Sequence, residues 1–317
     1  MLLVMMFLLL NSSFLFASLQ YSNTSYTSVT NTLSLLHHTI KEFRMHIYII
    51  SRSRYKNLAI ESMKLLHLEE YEHYTIINAI EGTNLTEDDI DIYIDNNIVS
   101  PTFFTSNSHS HGSHGEKNRL ALQISYLKTM KTFLSSNENY SLALVLEEDA
   151  TLGMNVNEAS LLLTKILYLP FDLDVFYLGW CYECDESNEL DKNNHYNNNH
   201  SGNHNDYDWY TEALYPLCRH SILWTKSAAH WYMNIVKPLR KGFRGGDQLL
   251  AHYLCAYSIT KRRLTKRPIF VQNLTSRTST LGNHDEKALF FPSEWTCERW
   301  KSKCRHAKIT ENIREKT

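Results

Sequence analysis

Residues Leu142–Leu146, LALVL, form a short unbroken aliphatic run that stops in three acids, Glu147, Glu148 and Asp149. A run this short and this apolar reads as a buried strand. Three carboxylates at the end of such a strand repel one another and are costly to desolvate. Alternation along an extended chain puts Glu147 and Asp149 on one side and Glu148 on the other. One pair of carboxylates therefore faces a common point, suited to Mn²⁺ or Mg²⁺, which prefer oxygen ligands. The same letters also fit a solvated acidic turn closing a strand.

The run belongs to a wider alternation. Met45–Ile50, Tyr74–Ile80, Ser141–Leu146 and Val175–Leu178 read as strands. Tyr55–Leu68, Asn118–Leu134 and Glu158–Leu169 read as helices, the last stopped by Pro170. Alternating strands and helices predict an α/β architecture with a mainly parallel central sheet flanked by helices. Ligands of such sheets bind beyond the carboxyl ends of the strands, where Glu147–Asp149 falls. With 317 residues, 43% of them hydrophobic, the chain can bury a sizeable core. A formal net charge of -2 gives no reason to expect nucleic acid as a partner.

Three stretches depart from the alternation. Thr105–Gly115 carries His109, His111 and His114, and Ser187–Asp208 carries His195, His200 and His204. Clustered histidines can bind Zn²⁺, but both stretches read as low-complexity loops with no scaffold to fix ligand geometry. The basic run Lys261–Arg267 is expected to be a solvated loop ahead of a strand at Ile269–Val271.

Met1–Ala17 is apolar apart from Asn11, Ser12 and Ser13. It is shorter than the roughly 20 apolar residues of a membrane span and fits a signal peptide over residues 1–18. A short anchor through residues 2–17 fits as well. Residues 19–43, rich in Ser, Thr and Asn, read as a stem, residues 44–290 as the main domain and 291–317 as a tail. Acceptor sequences for N-glycosylation occur at Asn23, Asn84, Asn139, Asn199 and Asn273. The six cysteines, Cys181, Cys184, Cys218, Cys255, Cys297 and Cys304, suit disulfides in an oxidising lumen, and Cys297 is expected to pair with Cys304. These features predict the secretory pathway: endoplasmic reticulum, Golgi or secretion.

Motifs along the chain resemble glycosyltransferase family 25, which includes lipooligosaccharide and procollagen galactosyltransferases. The pieces occur in that family's order. Ile47–Arg54 resembles its first strand and basic turn, with Ser51 where an Asp is usual. Ala79-Ile80-Glu81-Gly82 is similar to its Ala-hydrophobic-Asp-Gly turn. Gly115-Glu116 precedes a helix in which Ser125-Tyr126 stands for a Ser-His pair. Leu146-Glu147-Glu148-Asp149 stands for Leu-Glu-Asp-Asp. Asp174–Gly179 and Arg219–Ala229 resemble later elements, and Gly246-Asp247-Gln248-Leu249 its late acidic motif.

The resemblance implies a GT-A-like fold and an inverting transfer of galactose or glucose from a UDP-sugar to a hydroxyl of a glycan or protein. Under it, Glu147 and Asp149 hold Mn²⁺ or Mg²⁺ on the donor diphosphate. Arg52, Arg54, Glu116 and Glu148 contribute to the donor site. Asp247 is the candidate base that takes the acceptor proton, and a helix N-cap is its other reading. A catalytically inactive relative that binds a glycan or protein in the secretory pathway is the competing expectation.

Overall fold

The computed structural model describes residues 28–52, 57–104, 114–171, 174–179, 209–212, 218–235, 239, 246–256, 261–265 and 267–272. Met1–Ala17, Arg54, the His-rich stretch Ser187–Asp208 and the Cys297–Cys304 pair lie outside them. Among the described residues no helix is long and apolar enough to cross a membrane.

Seven strands form one sheet in the order β2-β1-β3-β7-β5-β8-β6. They are β1 (Met45–Ser51), β2 (Tyr74–Asn78), β3 (Leu142–Glu147), β5 (Asp174–Tyr177), β6 (Tyr210–Glu212), β7 (Ser221–Thr225) and β8 (Lys261–Thr265). β2, β1 and β3 are parallel neighbours, and β5 and β8 are parallel to each other. β7 runs antiparallel between β3 and β5, and β6 antiparallel at the edge. The sheet is thus mixed: β2, β1 and β3 are parallel, as expected, and β7 and β6 bring in the antiparallel pairings. A separate ribbon pairs β4 (Ala150–Leu152) with β9 (Phe270–Gln272).

Both faces of the sheet are covered, which is why the strands read as unbroken apolar runs. Tyr48, Ile50, Ala143, Val145, Val175, Tyr177, Ile222 and Trp224 point into one core. Helices α4 (His114–Leu134), α6 (Lys226–Ile235) and α7 (Gly246–Ala256) cover it, with α3 (Glu87–Asp95) contributing Ile90. Ile47, Ile49, Leu142, Leu144, Leu146, Phe176 and Leu223 point into the other. There α1 (Ser28–Glu42), α2 (Leu58–Leu65) and α5 (Val156–Leu167) pack.

Two regions differ from the sequence reading. The expected stem is helical over Ser28–Glu42, and Leu33, Leu36 and Ile40 form a buried stripe at helical spacing. α1 packs on α5, with the Thr32 hydroxyl donating to Asn157 Oδ1 at 3.2 Å. Serines and threonines on its outer face hid that stripe. The basic run Lys261–Thr265 is strand β8, held between β5 and β6, instead of a loop. A smaller difference is that α4 begins at His114, so Gly115-Glu116-Lys117 is its first turn.

Candidate functional site

The carboxyl ends of β1 and β3 lie side by side, with Ile50 opposite Glu147. The three acids then separate. Glu148 turns toward β1: its Oε2 accepts from the Arg52 backbone N–H at 2.7 Å and from the Ser51 hydroxyl at 3.4 Å. Its Oε1 accepts from Arg52 Nε and forms an ion pair with Nη2. The Glu148 carbonyl accepts from Leu58 N at 2.9 Å and Ala59 N at 3.2 Å, and Asn57 Oδ1 caps Ile60 N at 3.0 Å. The first amides of α2 are therefore engaged by protein groups instead of facing outward as an anion site. Glu148 ties β1, β3 and α2 together, and Arg52 is its partner.

Glu147 continues the alternation of Ala143 and Val145 and so points to the face of α4, α6 and α7. Burial and the neighbouring charge of Asp149 push its carboxyl up to about 8, with Asp247 and Glu148 adding to the rise and Arg219 opposing it. Burial likewise raises Asp149, against a hydrogen bond from Gln272 and the charge of Arg52. Gln272 Nε2 donates to Asp149 Oδ2 at 2.9 Å, whereas Oδ1 is buried with no hydrogen-bond partner. A carboxylate oxygen so placed, beside a second carboxylate that resists ionisation, is the donor set a hard divalent cation would satisfy. Among the described residues no third His, Cys, Asp or Glu completes a metal-binding group.

On the inner side lies Arg219, only 3% exposed. Cys218 precedes it in a left-handed conformation (φ 66°) and is disulfide-bonded. A non-glycine residue held there points to local strain. Arg219 Nη1 donates to Gln123 Oε1 at 2.8 Å and to the Tyr232 hydroxyl at 3.0 Å. Its guanidinium lies 4.3 Å over the Tyr126 ring, and the Tyr126 hydroxyl donates to the Arg219 carbonyl at 3.0 Å. Burial pulls the Arg219 pKa down, but Tyr232, Tyr126, Glu147 and Asp247 together carry it above its ordinary value, so it stays charged.

Asp247 is the second residue of α7, inside the first turn, so the helix-cap role does not fall to it. Gly246, just before it, packs so closely on Gln123 and Arg219 that a Cβ there would collide with both. Gly82, in the turn that follows β2, packs in the same way on Lys117 and Asn118 in the first turn of α4. Ser125 supports that turn by accepting from Ile80 N at 2.9 Å.

The fold thus brings Glu147 and Asp247 within electrostatic reach of Arg219, and Asp149 beside Glu147 on the side of Arg52. Glu148 and Arg52 pair beside it, facing β1 and α2. Glu116 is buried in the first turn of α4, at the seam with the Gly82 turn. Sequence reasoning missed Arg219, Gln123, Tyr232 and Gln272 as parts of the site. The one signal for Arg219 was a charge directly ahead of an apolar strand; a lone arginine there ordinarily reads as surface. Cys255, in α7, is also disulfide-bonded. Comparison with protein-family models and with curated proteins finds no match for this chain.

Proposed function

We propose that this chain is a GT-A-type glycosyltransferase, similar to family 25, that transfers galactose or glucose from a UDP-sugar to a hydroxyl of a glycan or protein. The observation that carries the reading is Asp149 Oδ1, buried and unpartnered just past the carboxyl end of β3, beside the carboxyl of Glu147. Glu147 and Asp149 would hold Mn²⁺ or Mg²⁺, which supplies Lewis-acid stabilisation of the departing diphosphate when bound. Two protein carboxylates leave coordination positions for donor oxygens and water.

Gln272, Glu148, Arg52 and Asp247 have further roles in this reading. Gln272 orients Asp149 by holding Oδ2, leaving Oδ1 for the cation. Glu148 and Arg52 fix the turn that carries the two ligands, so they support the donor site instead of lining it. Asp247, at the positive end of α7, takes the acceptor proton as the sugar is attacked from the opposite face.

A luminal location suits the chain. Asn84 and Asn139 are exposed, and Cys218 and Cys255 are both in disulfides. Anchoring through residues 2–17 belongs to the same proposal.

A catalytically inactive relative is the second reading, favoured by the engagement of Arg52 with Glu148. Both departures from the family pattern have internal roles, Ser51 on Glu148 and Tyr126 on Arg219, and so fit either reading. Turnover decides between them. The purified chain, screened against UDP-sugars, should hydrolyse one of them slowly with Mn²⁺ and stop on chelation. No hydrolysis of any UDP-sugar, with UDP binding retained, would favour the inactive relative.

A further inference from the structure

We propose that Arg219 is a positioning residue that holds the base, Asp247, in place relative to the metal-facing carboxylate, Glu147. The inference rests on the roles given above to those two acids.

Three observations carry it. The guanidinium is buried, yet the hydrogen bonds of its Nη1 go to neutral groups, Gln123 and Tyr232, and its flat face rests on Tyr126. A buried cation held only by neutral partners is costly, so its charge must be balanced by anions nearby. The carboxyl groups that act on it are Asp247, from α7, and Glu147, from β3, the latter pushed toward its neutral form by burial.

Arg219 is also fixed to both elements that carry those acids. On the β3 side, the backbone of His220, the next residue, accepts from Glu147 N at 3.0 Å. On the α7 side, Gly246, the residue before Asp247, lies directly against the guanidinium with no room for a methyl group. The Tyr126 hydroxyl pins the Arg219 backbone from α4. Arg219 is therefore a spacer of fixed length and fixed charge between the end of β3 and the start of α7. A lysine keeps the charge but lacks the planar fork that meets Gln123 and Tyr232 while stacking on Tyr126.

The test is thermal unfolding of the full chain in chelator at pH 7, as a double-mutant cycle. Arg219→Gln should lower Tm by about 5–10 °C, the expectation for removing a buried guanidinium from its hydrogen bonds to Gln123 and Tyr232 and its stack on Tyr126. Asp247→Asn should cost at least about 2 °C in the wild-type background and almost nothing in Arg219→Gln. Strictly additive losses overturn the proposal. Should Arg219→Gln fail to fold, Asp247→Lys decides. Beside an intact Arg219 it should melt several degrees below Asp247→Asn, and an equal Tm overturns the link.

Turnover supplies the second measure, read as Mn²⁺-dependent hydrolysis of UDP-galactose and UDP-glucose. Arg219→Lys should leave the donor KM within about twofold and lower kcat by about tenfold or more. A raised KM with unchanged kcat overturns positioning of the base. A wild-type chain that shows the thermal coupling without turnover removes the glycosyltransferase reading and leaves the link between Arg219 and Asp247 standing.

Discussion

The two ends of strands β1 and β3 answer the same cost in opposite ways. At the amino end, His46 is buried, stacked on Tyr140 with ring centroids 4.4 Å apart, and its Nε2 lies 2.8 Å from the Thr75 hydroxyl. Burial, with the charge of His73 adding to it, pulls His46 down to about 4, so the imidazole is neutral at pH 7. At the carboxyl end, the buried guanidinium of Arg219 has the half-buried carboxyls of Glu147 and Asp247 within electrostatic reach. One end escapes desolvation by giving up a proton; the other keeps a charged guanidinium and pushes the carboxyls of Glu147 and Asp149 upward. Retaining charge below the surface carries a penalty that structure alone does not require, so the carboxyl end is where chemistry is to be sought.

The largest break of this contrast would come at Asp247. If that end carries the reaction, Asp247→Asn should lower transfer by about 10²–10⁴-fold while sparing UDP-sugar binding, with His46→Gln within about twofold of wild type. Rates at saturating donor and acceptor check it, and equal effects at the two ends would erase the distinction. Next is Asp149→Asn, which keeps shape and removes charge. It should weaken Mn²⁺ and UDP binding together by about 10–100-fold, measured by calorimetry.

The amino end should show itself through pH. His46 has a folded pKa below its unfolded value, so between about 6.5 and 4 the unfolded chain binds more protons. Its contribution is therefore complete above pH 6.5 and is lost as pH falls toward 4, by on the order of 2–3 kcal/mol. Urea unfolding of wild type against His46→Gln across that range should give a shallower acid slope in the variant. The smallest effect is expected at Ser51. Ser51→Asp would set a second anion beside Glu148 and destabilise the chain by about 1–3 kcal/mol, whereas Ser51→Ala should cost under about 1 kcal/mol. Both are read from the urea midpoint.

The strands at the heart of the sheet were legible because burial on both faces leaves an unbroken apolar run, as in Leu142–Leu146 and Val175–Leu178. The acids were legible because they end such a run. What the sequence concealed was placed by tertiary contact. β7 reads as a strand, but its antiparallel insertion between β3 and β5 depends on partners far along the chain. Lys261–Thr265 is too basic to suggest a strand until β5 and β6 flank it. Alternation reaches only as far as Glu147, where β3 ends; Glu148 and Asp149 form a turn, so their directions are set by Arg52 and Gln272. Arg219 and Gln272 belong to the site only because β7 and β9 return beside β3. Tyr126 reads as the stand-in for the His of a Ser-His pair, and its hydroxyl bond to the Arg219 backbone lay beyond local pattern.

The docking of α1 on α5 has a consequence in time. Thr32 and Asn157 touch across 125 positions of chain. A ribosome adding about 5–20 residues each second needs roughly 6–25 s to make the second after the first. For that interval Leu33, Leu36 and Ile40 lack the α5 surface that completes their burial, although they end fully or nearly buried. The first of the described helices to be synthesised is thus among the later ones to be locked, and its nascent form presents an amphipathic stripe to whatever chaperone guards the growing chain.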